Sequence, residues 1–361
     1  MLVPAIVIAF GVTVIMVLAL RPMATSVGLV DRPGGRKQHI GAVPITGGIA
    51  MFVGLIVSSA LAPAGVPSIA ILTAIGLLVL VGVLDDRFTS PAAVRLGAQV
   101  VAVLLLFFGA ELQVTSLGNV FGLGEVQLGV ASLLFTALIA VSVINAFNLV
   151  DGADGLAGSM GVLALGPVAV IAGYSSSAGL LTTVSIAVIL GFLCFNFPTI
   201  YNRRVRTFMG DAGSTMIGLL VVVCIARVTQ GQNAVVSPAV GLWFAALPIF
   251  DLFTCFVRRI RRGVSPFQPG RDHFHHVLSR GGLGVRQTLG ILTLMQVTYV
   301  TFGLVGHYLG IADAAIFGAW AVVGGTQWWF IRKFAAVARG GRRRRQSTSD
   351  QATADKPRRA A

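Results

Sequence analysis

Apolar stretches of roughly 17 to 22 residues recur along this chain, each closed by a short polar segment. About 20 helical residues cross the hydrocarbon core of a bilayer. With no water there, every backbone N–H and C=O must be bonded inside its own segment, so such stretches are predicted to be helices. The pattern places eleven spans, at residues 2–20, 46–62, 67–84, 94–110, 128–148, 161–175, 178–196, 212–229, 237–257, 288–308 and 312–332. The first, Leu2 to Leu20, has neither a basic n-region nor a small-residue cleavage site, so it reads as a span and not a signal peptide. The predicted fold class is all-α: a polytopic integral membrane protein with about eleven transmembrane helices.

Threading the spans alternately makes the basic residues a test of direction. With the N-terminus outside, 26 of the 27 Lys and Arg fall in inside segments or in the tail, and only Arg227 lies near the outer face. Cytoplasmic loops carry the excess of Lys and Arg, so the inside is the cytoplasm and the C-terminus lies there. Residues 1–334 then form one transmembrane domain. Residues 335–361, with Arg342 to Arg345 followed by Ser, Thr, Gln and Pro, form a basic tail expected to be disordered and drawn to anionic lipid.

Composition agrees with this reading. Hydrophobic residues make up 55% of the chain and charged ones 11%, against about 25% charged in soluble domains. The length prior for two globular domains therefore does not apply. A net charge of +14 could suggest nucleic acid. The basic residues are split between loops and tail, with no nucleic-acid-binding signature, and membrane lipid is the expected partner instead. Cys194, Cys224 and Cys255 lie in or beside apolar runs, with no zinc or disulfide spacing, and read as packing residues.

Eight of the thirteen acidic residues sit at or near the ends of apolar runs, all on the cytoplasmic side: Asp31, Asp85, Asp86, Asp151, Asp154, Asp211, Asp251 and Asp272. Asp85-Asp86 ends the third span; adjacent carboxylates near a low-dielectric slab call for a cation or a proton. The bland alternative is a solvated helix end paired with Arg87, although acids there oppose the macrodipole. Asn145 and Asn148 lie one turn apart, and Asp151, Gly152, Asp154 and Gly155 follow. Such amides could read a base or a sugar, and an asparagine pair in an apolar span is costly without a task. Phe-Met-Gly-Asp211-Ala-Gly-Ser opens the eighth span, where a helix N-terminus favours phosphate and Asp211 could hold Mg²⁺. Asn196 ends the preceding span. A loop from Arg258 to Arg286 carries Arg271, Asp272, His273, His275 and His276. His-x-His-His could bind zinc, but no cysteine or glutamate completes a ligand set, so hydrogen bonds to phosphate or sugar, alongside Arg271, are expected. A basic, glycine-rich stretch with Asp31, Lys37 and His39 suits an anion.

In this order the motifs resemble the polyprenyl-phosphate N-acetylhexosamine-1-phosphate transferases, from about Asp31 to His276, with the eleven-span layout extending the likeness to Ala335. The Lys37–His39 stretch and Ser265-Pro266-Phe267 look nearer the WecA branch than the MraY branch. The resemblance implies transfer of a sugar 1-phosphate from a UDP-N-acetylhexosamine to undecaprenyl phosphate at the cytoplasmic face of a bacterial inner membrane, with Mg²⁺ required and Mn²⁺ a substitute. It implies Asp211 as metal ligand, Asp85 as the base for the lipid phosphate, and Asp86 in support. Asn145, Asn148, Asp151, Asp154, Asn196, Lys37, His39, Arg271, His273, His275 and His276 would bind substrate. Relatives that extend the first motif to Asp-Asp-x-x-Asp have an acid where this chain has Thr89, which moves the metal towards Asp211. UDP-GlcNAc is the expected donor, with FucNAc or QuiNAc donors and a MurNAc-pentapeptide donor as alternatives. The pathway served and homodimerisation stay open. An intramembrane prenyltransferase would need two Asp-rich motifs, and a cation transporter would place its acids near mid-membrane.

Overall fold

The computed structural model describes residues 2–32, 41–61, 67–173, 176–198, 206–232, 234–265 and 273–354. All eleven predicted apolar stretches are helical. Helix α1 is Leu2–Ser26, α2 Gly47–Leu61, α3 Ile69–Phe88 and α4 Ala92–Leu104, which runs on through a π-turn at Leu105–Gly109. Next come α5 Ser132–Val150, α6 Leu156–Ala172, α7 Ser177–Asn196 and α8 Gly210–Thr229. The chain continues with α9 Pro238–Phe244, α10 Ala246–Ile260, α11 Phe274–Arg280, α12 Val285–Tyr308 and α13 Asp313–Ala354. Among the described residues, eight helices are long and apolar enough to cross a membrane, nine if α9 and α10 count as one, and α2 and α6 are shorter apolar helices.

Local chemistry marks where several helices begin. Ser68, Ser176 and Ser237 each accept a hydrogen bond from an N–H of the first turn of α3, α7 and α9, and Pro238 opens α9 with the fixed φ that a first turn wants. Helix α3 stops at Thr89, which adopts φ +57° and donates its N–H to the Asp85 carbonyl at 2.8 Å. A two-stranded antiparallel ribbon, β1 (Val30–Asp31) with β2 (Val43–Pro44), adds to the all-α plan, and Ile45 bridges to Phe208 just before α8.

The predicted ninth span is broken. Helices α9 and α10 meet at 82°, with Ala245 between them. Pro248 lacks an N–H, so the carbonyl of Phe244 has no helical donor to take. The Gln296 side chain of α12 fills the gap, donating from Nε2 to Phe244 O at 2.7 Å and accepting from Leu247 N at 3.0 Å. Gln296 is fully buried. A single amide thus satisfies both groups that the bend exposes, as an apolar surrounding demands.

Helix α8 sits at the centre, packed on α2, α3, α5, α6, α7 and α9. Gly82 lets α3 approach it: a Cβ there would collide with the backbone of Ala212. That contact sets the C-terminal end of α3 beside the N-terminal end of α8. Helix α13 is Asp313–Ala354 and so runs on past Ala335. Alanine and arginine are among the better helix formers, and both are frequent in that stretch.

Candidate active site

Three helix ends converge on Asp211. Its Oδ1 accepts from Asn148 Nδ2 at 2.9 Å, and its Oδ2 accepts from Arg95 at 3.2 Å. The same Arg95 nitrogen donates to Asp85 Oδ2 at 2.9 Å, while the N–H of Ser90 donates to Asp85 Oδ1. Asp85 is buried, whereas 41% of the Arg95 side chain is exposed, so the guanidinium roofs the cluster and meets solvent. Asp86 turns the other way, and its Oδ1 accepts the backbone N–H of Asp211 at 3.1 Å. It therefore caps α8 from the end of α3. A carboxylate unfavourable at the end of its own helix becomes favourable at the start of the next. Among the described residues its buried Oδ2 takes no hydrogen bond.

Asp151 follows α5 in the turn that leads to α6. Burial of its carboxyl, then the charges of Asp211, Asp86 and Asp154, push its pKa well above 3.8. Desolvation and like charge act together here. Among the described residues, Arg95 is the arginine that pairs with this group, through Asp85 and Asp211.

The glycosyl transferase family 4 pattern matches residues 68–229, from the cap of α3 to the end of α8. An undecaprenyl-phosphate α-N-acetylglucosaminyl 1-phosphate transferase of Escherichia coli K12 is 36% identical over 292 residues, covering 80% of this chain and 79% of that protein. The protein of the same name from Yersinia pestis is 36% identical over 80% of each chain. That from Haemophilus influenzae is 31% identical over 83% of this chain and 85% of its own. The chain belongs to glycosyl transferase family 4.

Within this family frame, the residues singled out from sequence separate into groups. Asp85, Asp86, Asn148, Asp151 and Asp211 come together. Asn145 sits one turn before Asn148, but its amide donates to Gln99 at 2.7 Å and to Val141 O at 2.8 Å, so its donors are spent inside the bundle. Asn196 accepts from Gly155 N at 2.8 Å, donates to Thr207 O at 2.9 Å, and is buried. Asp154 lies in the same turn, partly exposed.

His275 is buried against Gly152, where any Cβ would strike its ring, so α11 is seated on the turn that carries Asp151. Burial, then the charges of His276 and His273, hold its pKa well below 6.5, and it stays neutral. His273 faces Asp251 through Nδ1 at 3.1 Å, and His276 is half-buried beside His275. Lys37, His39 and Arg271 lie outside the described residues.

Two participants escaped the sequence reading. Arg95, and not Arg87, is the partner of Asp85; Arg87 instead donates to Val27 O at 2.9 Å and stacks over Phe88. Gln99, one turn after Arg95, holds Asn145. Their signal was a lone charge and a lone amide one turn apart on an otherwise apolar helix face.

Proposed function

We propose that the protein transfers N-acetylglucosamine 1-phosphate from UDP-N-acetylglucosamine to undecaprenyl phosphate. An oxygen of the lipid phosphate attacks the β-phosphorus of the donor; the bond from that phosphorus to the bridging oxygen breaks, and UMP leaves. The carrying observation is the cluster of aspartates brought together at the helix ends, in a chain whose relatives bear that transferase name. The excess of Lys and Arg supports placing this end on the cytoplasmic side of a bacterial inner membrane.

The cluster suits Mg²⁺. Its donors are all carboxylate oxygens, the ligands a hard cation prefers, and Asp86 Oδ2 is a buried oxygen with no hydrogen bond among the described residues. Asp211 and Asp86 would hold the ion, with Asp151 beside them, and Mn²⁺ could substitute. When bound, it supplies charge neutralisation for the diphosphate. Asn148 orients Asp211, and Ser214 in turn accepts from Asn148 at 3.0 Å. Arg95 presents its exposed face to an incoming phosphate. In turning to the lipid phosphate, which arrives as a singly protonated monoanion, it releases Asp85, whose carboxylate can then take that proton and leave the dianion to attack. Positioning and charge balance are what phosphoryl transfer asks of a protein.

UMP release by purified protein, with each substrate alone and with both, tests the reaction. UMP is expected only when UDP-GlcNAc and undecaprenyl phosphate are present together, and none under that condition overturns the proposal. A panel with FucNAc, QuiNAc and MurNAc-pentapeptide donors should leave UDP-GlcNAc with the highest kcat/KM; a higher value for another donor would reassign the sugar.

A further inference from the structure

A second cluster of ligand-type side chains lies outside the aspartate group. Asp251 and Cys255 sit one turn apart on a single face of α10, and His273 precedes α11. All three are buried. His273 Nδ1 lies 3.1 Å from Asp251 Oδ2 and 3.3 Å from Cys255 Sγ, and Sγ lies 4.0 Å from Asp251 Oδ1. Among the described residues this is the one group of three such side chains whose ligand atoms all fall within 4.8 Å of one another. The N–H of Phe274 donates to Asp251 Oδ1 at 2.9 Å, which fixes the carboxylate and leaves Oδ2 turned to the imidazole.

These separations are close to those of a metal's ligand shell. Tetrahedral zinc, with bonds of about 2.0 to 2.3 Å, has ligand–ligand edges of roughly 3.3 to 3.7 Å. The observed nitrogen–oxygen and nitrogen–sulfur edges need to open by only a few tenths of an ångström. The donor set also discriminates. Thiolate and imidazole select a borderline or soft cation, whereas the all-oxygen aspartate cluster selects a hard one. From sequence, His-x-His-His wanted a cysteine to complete a zinc set; the fold brings Cys255 to it from another helix.

We propose that Asp251, Cys255 and His273 form a zinc site separate from the magnesium-type cluster, a reading that goes beyond the transfer reaction. Zinc would take the Cys255 thiolate, the His273 Nδ1 lone pair and one Asp251 oxygen, with water in the fourth position. The thiol proton leaves to solvent, and the imidazole proton moves from Nδ1 to Nε2. Bound metal would pin the start of α11 to α10, and with it the helix that seats His275 on Gly152.

Cobalt(II) titration of the purified, metal-stripped full chain tests this. One equivalent is expected to raise a thiolate-to-cobalt charge-transfer band in the near ultraviolet, together with tetrahedral visible bands. Zinc should displace both, and excess magnesium should displace neither. Cys255→Ala should lose the charge-transfer band; Cys255→Ser serves the same purpose should the alanine variant fail to fold, since an alkoxide gives no such band. Absence of the band in the folded wild-type protein overturns the site. So does its survival in either variant, which would assign it to Cys194 or Cys224.

Discussion

The aspartate cluster and the Asp251 cluster are both built around a buried carboxylate, and they treat it in opposite ways. Asp251 has two donors on one side chain, the His273 ring and the Phe274 N–H. Among the described residues, Asp85 and Asp211 share the Arg95 guanidinium, Asp86 keeps an unbonded buried oxygen, and the Asp151 carboxyl is raised well above its usual range. Completing a carboxylate's hydrogen bonds makes a fastener. Leaving several incomplete, at the end of a bundle and under one partly exposed arginine, makes a site that needs a cation and an anionic substrate to finish it.

That contrast can be broken most severely at Asp211. Asp211→Asn keeps the shape but removes the charge, and turnover measured by UMP release is expected to fall by more than about a thousandfold, even in excess Mg²⁺. Arg95→Gln comes next: kcat is expected to drop by about a hundredfold, with a smaller change in KM for the UDP-sugar, because the arginine is assigned to the lipid phosphate. An equal loss in both would place it on the nucleotide sugar instead. In the fastened cluster, Asp251→Asn should act on stability, costing about 1.5–3 kcal/mol in denaturation through lost charge-assisted hydrogen bonds. A fall in turnover as deep as that of Asp211→Asn would erase the distinction between the two regions.

The smallest effect is a pH dependence. Because His275 is neutral in the fold and has a pKa held below 6.5, the unfolded chain binds more protons as pH falls under that value. Stability is therefore complete above about pH 6.5 and declines below it, by at most about 1.4 kcal/mol per pH unit for one group. The drop in thermal midpoint between pH 7.5 and pH 5.5 is expected to shrink in His275→Gln. An unchanged drop would assign the dependence to other groups.

Much of the architecture is legible in the sequence because hydrocarbon permits so few alternatives: an apolar run that must bond its own backbone becomes helical, and the predicted runs are helical in their described residues, the ninth as two helices. The bend at Ala245 hides inside an unbroken apolar run, where Pro248 is the only local mark and the partner that makes the bend tolerable, Gln296, comes 48 residues later. The same distance problem explains the site. Asp85, Asp86, Asn148, Asp151 and Asp211 announce themselves as polar residues in costly places. Arg95 lies in the first turn of a helix with no motif around it, and the approach of Asp251 to His273 follows from no spacing rule. Asn145 and Asn196 have the right chemistry for binding, but their amides are engaged within the protein.

The amide of Gln296 also governs what the bent helix can do. A chain that turns by 82° in an apolar surrounding has a carbonyl and an N–H with no water to fall back on, and one side chain of α12 holds both. Straightening the bend would strand four polar groups together, two on the backbone and two on the amide. The joint is therefore latched. Helix α10 is anchored to α12 at this joint, and the His273 segment is in turn fastened to α10 through Asp251.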